Sequence, residues 1–176
     1  MVLMRRNAIA FVLGVCAAGP AFAQSAERVA AHTDWSVFVA NDPKECYIVS
    51  PPKTSVAKRD GQPAEVERGD IRLFVAFRPG ENISNEVSFS GGYPFREGST
   101  VTLAVGGSSF SLGPGAGDSG EWAWTDPADD ARAVAAMRRG ASATVTGTSS
   151  RGTTTEDTFS LSGFTAAVED AEARCR

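Results

Sequence analysis

Along most of the chain apolar and polar positions alternate with a period of two, the pattern of half-buried strands. Trp35, Val37 and Val39 alternate with Ser36, Phe38 and Ala40. Asn41-Asp42-Pro43 then signals a turn into a second strand, Cys46-Tyr47-Ile48-Val49. Residues 51–68, rich in Pro, Lys and Glu, break the alternation and predict a long surface excursion with a short edge strand and a turn at Asp60-Gly61. Residues 71–77 (IRLFVAF) are nearly all apolar, which predicts a central strand buried on both faces. Residues 86–90 form another strand, stopped by Gly91-Gly92. Val101, Leu103 and Val105 point one way, Gly106-Gly107 suits a two-residue hairpin turn, and Phe110 and Leu112 mark the return strand. Residues 113–120 (GPGAGDSG) read as a flexible loop, and Trp122 and Trp124 share one face of the strand that follows. Residues 144–148 and 154–161 are the last strands. Roughly eight or nine short strands at about ten-residue spacing predict an all-β sandwich or barrel.

The period changes to helical in two places. Over residues 127–139, Asp126 stands as N-cap and Pro127 at the first helical position. Asp129 and Asp130 lie at the positive end of the dipole, Arg138 and Arg139 at the negative end, and Gly140 terminates. Ala131, Val134, Ala135 and Met137 give a narrow apolar stripe, so this helix belongs on the surface of the sheets. A second helix, about residues 164–174, runs from Gly163-Phe164 through Ala167, Val168 and Ala171 towards Cys175.

The first residues follow neither period. Arg5 and Arg6 precede an apolar run at 8–18 that is too short to span a bilayer, Gly19-Pro20 breaks it, and Ala21-Phe22-Ala23 supplies small residues for processing. Residues 1–23 therefore read as a cleaved secretory signal, with cleavage between Ala23 and Gln24, residues 24–32 as a flexible leader, and residues 33–176 as one domain. This changes the composition. Removal takes Arg5, Arg6 and no acidic residue, so the net charge moves from −4 to −6. It also takes Cys16, leaving Cys46 and Cys175, an even count that in an exported chain suggests a disulfide. The alternative is a pair of reduced thiols.

The acidic balance, 17 Lys and Arg against 21 Asp and Glu, argues against a nucleic-acid binder, and a single His leaves little for a metal site. Gly117-Asp118-Ser119-Gly120 resembles the nucleophile loop of chymotrypsin-like proteases, and His32 after Ala30-Ala31 resembles the context of their base. The chain is short for two barrels, and Glu121 stands where a further glycine is usual. A solvent-exposed serine in a Gly-rich loop is therefore the simpler reading. Gly115, Gly117 and Gly120 fit G-x-G-x-x-G, but a strand follows where a dinucleotide site needs a helix. Asp126, Asp129 and Asp130 are explained by helix capping before a calcium site. Trp122 and Trp124 with Phe110 form either an aromatic binding platform or, more commonly, sandwich core. No catalytic residue, cofactor or metal is assigned.

The chain resembles the bacterial invasion-associated locus B family. The residues that carry the likeness are Thr33-Asp34-Trp35-Ser36-Val37, Glu45-Cys46, Arg68-Gly69-Asp70-Ile71, Gly91-Gly92-Tyr93-Pro94-Phe95, Trp122 and Trp124. Later come Ala136-Met137-Arg138-Arg139-Gly140 and residues 160–168 (SLSGFTAAV). The resemblance implies an exported bacterial protein with an immunoglobulin-like β-sandwich. The family is named for a member linked to invasion of host red cells. On this footing the expected function is that of a non-catalytic envelope protein that binds a protein or envelope partner, in the periplasm or on the outer surface. The same resemblance implies a link to host-cell invasion or to envelope stress. The competing reading is a small ligand-binding protein or hydrolase using the Ser119 loop.

Overall fold

The computed structural model describes residues 26–176. The signal segment 1–23, the Ala23–Gln24 cleavage position and Cys16 lie outside the described residues. Among those described, twelve strands form one continuous antiparallel ladder. The first six are β1 (Glu27–His32), β2 (Trp35–Asn41), β3 (Lys44–Ser50), β4 (Thr54–Arg59), β5 (Gln62–Pro63) and β6 (Arg72–Arg78). Then follow β7 (Ile83–Ser90), β8 (Val101–Val105), β9 (Ser108–Pro114), β10 (Trp122–Thr125), β11 (Ser142–Thr148) and β12 (Thr154–Ser160). Their order is β1-β2-β3-β6-β7-β10-β9-β8-β11-β12-β4-β5. Two helices complete the fold, α1 (Pro127–Arg139) and α2 (Phe164–Arg174).

The all-β reading with two helices holds. The ladder curls until its inward side chains form one core, so Phe89 of β7 meets Phe159 of β12 edge-to-face at 6.1 Å. The alternation places Trp35, Val37, Ile48, Leu73, Val75, Val87, Leu103 and Val145 at zero exposure. Helix α1 lies against β7, and α2 packs on β2 and β3 and touches α1. Asp126 caps α1 by accepting from the Ala128 N–H at 2.9 Å.

Two expectations are corrected. Residues 27–32 are not a loose leader but strand β1, paired along β2 from Glu27 opposite Val39 to His32 opposite Trp35. A register shift between Arg28 and Ala30 makes Val29 and Ala30 the adjacent half-buried pair, which hides the period of two. Strand β6 is buried on both faces only in part: Leu73, Val75 and Phe77 enter the core, while on the opposite face Ala76 is buried but Arg72, Phe74 and Arg78 are half-buried.

Three devices hold the ladder closed. Cys46 of β3 and Cys175 beyond α2 form a disulfide, with Cα atoms 5.8 Å apart across a sequence separation of 129. In the chain-entropy account a loop of that length stabilises by about 5 kcal/mol. Gly163, at φ +86°, lets the start of α2 touch the β1–β2 turn, where a Cβ would clash with the His32 carbonyl. The third device is an ion pair inside the curl. Asp157 of β12 is fully buried, and Arg68 meets both its oxygens at 2.7 Å. The same guanidinium donates twice to the Gly91 carbonyl beyond β7, at 2.9 and 2.7 Å. It stacks 4.9 Å from the Tyr93 ring centre, and Tyr93 shares a 2.6 Å hydrogen bond with Thr155.

Replacing Cys46 and Cys175 together by Ala is expected to cost about 2–5 kcal/mol, read as a lower denaturation midpoint. A wild-type protein that shows two alkylatable thiols and no Cys46–Cys175 cross-linked peptide by mass spectrometry contradicts the bridge. Arg68→Ala leaves Asp157 buried without a counter-charge and is expected to destabilise by about 3–5 kcal/mol. A chemical-denaturation shift of less than about 1 kcal/mol would show that water or a neighbour replaces the guanidinium.

Candidate functional site

The outer face of β2, β3, β6 and β10 carries aromatics where the alternation calls for polar residues. Phe38 sits between Val37 and Val39, Tyr47 between Cys46 and Ile48, Phe74 between Leu73 and Val75, and Trp122 and Trp124 flank buried Ala123. Sheet register lines them up. Phe38 is directly opposite Tyr47, and their rings stack at 5.1 Å. Tyr47 and Phe74 lie 6.0 Å apart, Phe74 and Trp122 5.1 Å, and Trp122 and Trp124 6.1 Å. Phe74 and Trp122 belong to strands separated by β7. They meet because the residues of β7 between them are Ser88, opposite both Phe74 and Trp124, and Ser90, opposite Trp122. Small side chains there leave a trough that the flanking rings roof and line.

The result is a concavity of about 480 Å³ floored by Tyr47, Phe74, Trp122 and Trp124. Its rim holds Glu45, Arg78, Glu86, Asp118 and Ser119. Arg78 is shared among three carboxylates, Glu86 at 2.8 Å, Glu81 at 3.1 Å and Glu45 at 3.2 Å. Burial weakens its charge, but the hydrogen bonds and charge of Glu86, then Glu45 and Glu81, outweigh that and hold the guanidinium firmly protonated. Burial first, and the Glu45 charge second, push the Tyr47 hydroxyl above its ordinary value. The Gly-rich loop closes one side. Gly115 donates to the Trp122 carbonyl at 2.8 Å, and a Cβ on Gly115 would lie 3.0 Å from the Trp124 ring.

The candidates singled out in sequence fall in different places. Ser119 reaches this rim, in a single 3-10 turn, Gly117–Ser119. His32 sits on β1 and bonds Asp170 of α2 at 3.0 Å, so the chain's one imidazole is engaged by a carboxylate and not by Ser119. Phe110 leaves the platform altogether: it is buried in the core with Arg132 above it at 5.8 Å. Trp122 and Trp124 are the reverse case, expected more commonly as core and found half-buried on the outer face. Their strand spends its inward positions on Ala123 and Thr125, because α1 approaches closely there. Thr125 donates to Asp130 of α1, its hydroxyl lies 3.2 Å from the Val87 carbonyl, and Asp130 accepts the Val87 N–H at 3.0 Å. Burial pushes the Asp130 carboxyl above its ordinary value, against the pull of those two donors. Asp126 caps, Asp129 pairs with Arg132 and Asp130 turns inward, so the three do not converge on one point. Among the described residues no three His, Cys, Asp or Glu side chains gather as a metal set, and no helix is long and apolar enough to cross a membrane.

A second concavity, about 470 Å³, lies beside Arg68 and Tyr93 and is lined by Arg59, Glu65, Glu67 and Arg151 among others. Its inner polar groups already serve the Arg68–Asp157 pair and the Arg59–Thr153 hydrogen bonds at 3.2 and 2.9 Å. The aromatic trough is therefore the better candidate.

The His32–Asp170 contact makes a pH prediction. The His32 hydrogen bond first, and Arg174 second, hold the Asp170 carboxyl below its ordinary 3.8. A depressed carboxylate contributes stability above 3.8 that is lost as the pH falls through its folded value. Asp170→Asn should flatten the acid limb of a stability–pH curve below about pH 5, with the wild-type slope steeper. Identical slopes for the two proteins would show that the contact does not couple to folding.

No curated protein and no solved structure gives a significant match to the chain. Residues 121–172, from the start of β10 through most of α2, match the family model described as Invasion associated locus B (IalB) protein, so over this segment the chain is similar to the family that its sequence resembles.

Proposed function

We propose that this is an exported, non-catalytic envelope protein of the invasion-associated locus B type that acts by binding a partner through the aromatic trough. One observation carries the reading: Trp122 and Trp124, inside the matched segment, stand half-exposed on a concave outer face with Tyr47 and Phe74. Aromatic side chains in a desolvated depression are the usual anchors of binding sites, and a soluble protein seldom leaves several together without a use for them. The Cys46–Cys175 bridge supports export, since such bridges persist in oxidising compartments. The signal-like 1–23 segment supports the same route. A hydrolase reading keeps one supporting fact, Ser119 at the trough's rim. His32, the imidazole that a serine nucleophile would use, bonds Asp170 of α2 and is not among the residues lining the trough.

Fractionation of the source bacterium should place a mature chain beginning at Gln24 outside the cytoplasm. A photo-cross-linking residue at position 124 should give a discrete adduct in the envelope, and one at exposed Val56 should not. Equal adducts from both positions, or none at 124, would overturn the assignment of the binding face.

A further inference from the structure

The charge around the trough says what kind of group it takes. Glu45, Glu86 and Asp118 line it against a single cation, Arg78, which also answers Glu81. One guanidinium therefore faces three carboxylates by direct contact, and Asp118 stands apart from them on the opposite loop. The next outward cation on β6, Arg72, lies beyond Phe74 and has its own carboxylate, Asp70, at 3.4 Å. The rim is thus electron-rich, and so is the floor, because the faces of Phe74, Trp122 and Trp124 carry the negative lobes of their ring quadrupoles. An anionic group would be repelled by both. A neutral sugar would stack on the rings and donate hydroxyl hydrogens to the carboxylates, but would leave their surplus charge uncompensated.

Resting on the binding role proposed above, we infer that the trough receives an arginine side chain from a basic, extended segment of a partner protein. A planar guanidinium can stack on the Trp122–Phe74 floor and turn its N–H fork to a carboxylate of the rim, Asp118 or Glu86. The Phe38–Tyr47 stack continues the aromatic row across β3 and β2, giving a neighbouring residue of the same segment an apolar shelf. The charge of the mature chain, −6 by sequence, acts in the same direction by drawing a basic segment in over long range.

The experiment follows tryptophan emission of the purified mature protein during titration with a short peptide carrying two arginines. Its citrulline counterpart has the same shape without the charge, and a neutral chitin oligosaccharide serves as a third probe. The arginine peptide is expected to bind about tenfold tighter than the citrulline one, and to weaken as salt rises from about 0.05 to about 0.5 M. Asp118→Asn, on an exposed loop with no part in the core, should weaken the arginine peptide while leaving the melting temperature unchanged. Glu86→Gln should act in the same direction. Equal binding of both peptides, no binding of either, or oligosaccharide binding untouched by Asp118→Asn overturns the inference. If the peptides fail while the position-124 adduct persists in cells, the cationic ligand is wrong and the binding face stands. If the adduct is also absent, the binding role itself falls.

Discussion

Asp157 occupies an inward position of β12, between Thr155 and Phe159, where the strand's period calls for an apolar side chain. A carboxylate taken out of water there costs several kcal/mol unless charge and hydrogen bonds compensate. Arg68 compensates from the end of the 51–68 excursion, and its remaining N–H groups reach Gly91 beyond β7. One side chain thereby ties β12 to the end of β7, two strands that are not neighbours in the curled ladder. The backbone makes room for it. Gly69 donates to the Gly92 carbonyl at 2.9 Å, and a Cβ on Gly92, at φ +67°, would lie 2.6 Å from the Gly69 oxygen. Arg68-Gly69 and Gly91-Gly92 are thus two halves of one contact.

That closure decides what the two faces of the sheet can be used for. The inner face is filled by a single core together with α1 and α2, and the disulfide and the Gly163 contact fix α2 across β2 and β3. The outer face of β3, β6, β7 and β10 then becomes a rigid surface whose side chains are placed by strand register alone. Rings held in this way lose little further freedom when a ligand meets them, which lowers the entropic cost of binding.

Most of the fold was legible in the sequence, because alternation, turn residues and helix caps all acted locally. The hairpin at Gly106-Gly107, the Asp126 cap and the helix stop at Gly140 are examples in which one or two residues determine the geometry. What was not legible depended on distant partners. Strand β1 was obscured by its register shift against β2. Arg68 and Gly91-Gly92 stood out as part of a family likeness, but nothing nearby in sequence says that they meet Asp157. The trough was half-visible. Trp122 and Trp124 were singled out with the wrong companion, Phe110, since adjacency in sequence favoured β9 over the strands that β7 separates from it.

A signal for the remaining rings was nevertheless present. Phe38, Tyr47 and Phe74 each violate the polar phase of an otherwise well-formed strand, and a sequence that departs from its own pattern several times in the same sense does so at a local cost. A polar residue at each position would keep the strands intact and the face soluble, so folding alone does not call for the aromatics. Ser88 and Ser90 make the complementary departure. A β-branched or aromatic residue would suit a central strand better, yet these two are small, and their smallness lets Phe74 and Trp122 meet at 5.1 Å. Large where polar would serve, and small where large would serve, the outer face is arranged around a shape that stability does not explain. A concave aromatic surface ringed by carboxylates is what that shape provides.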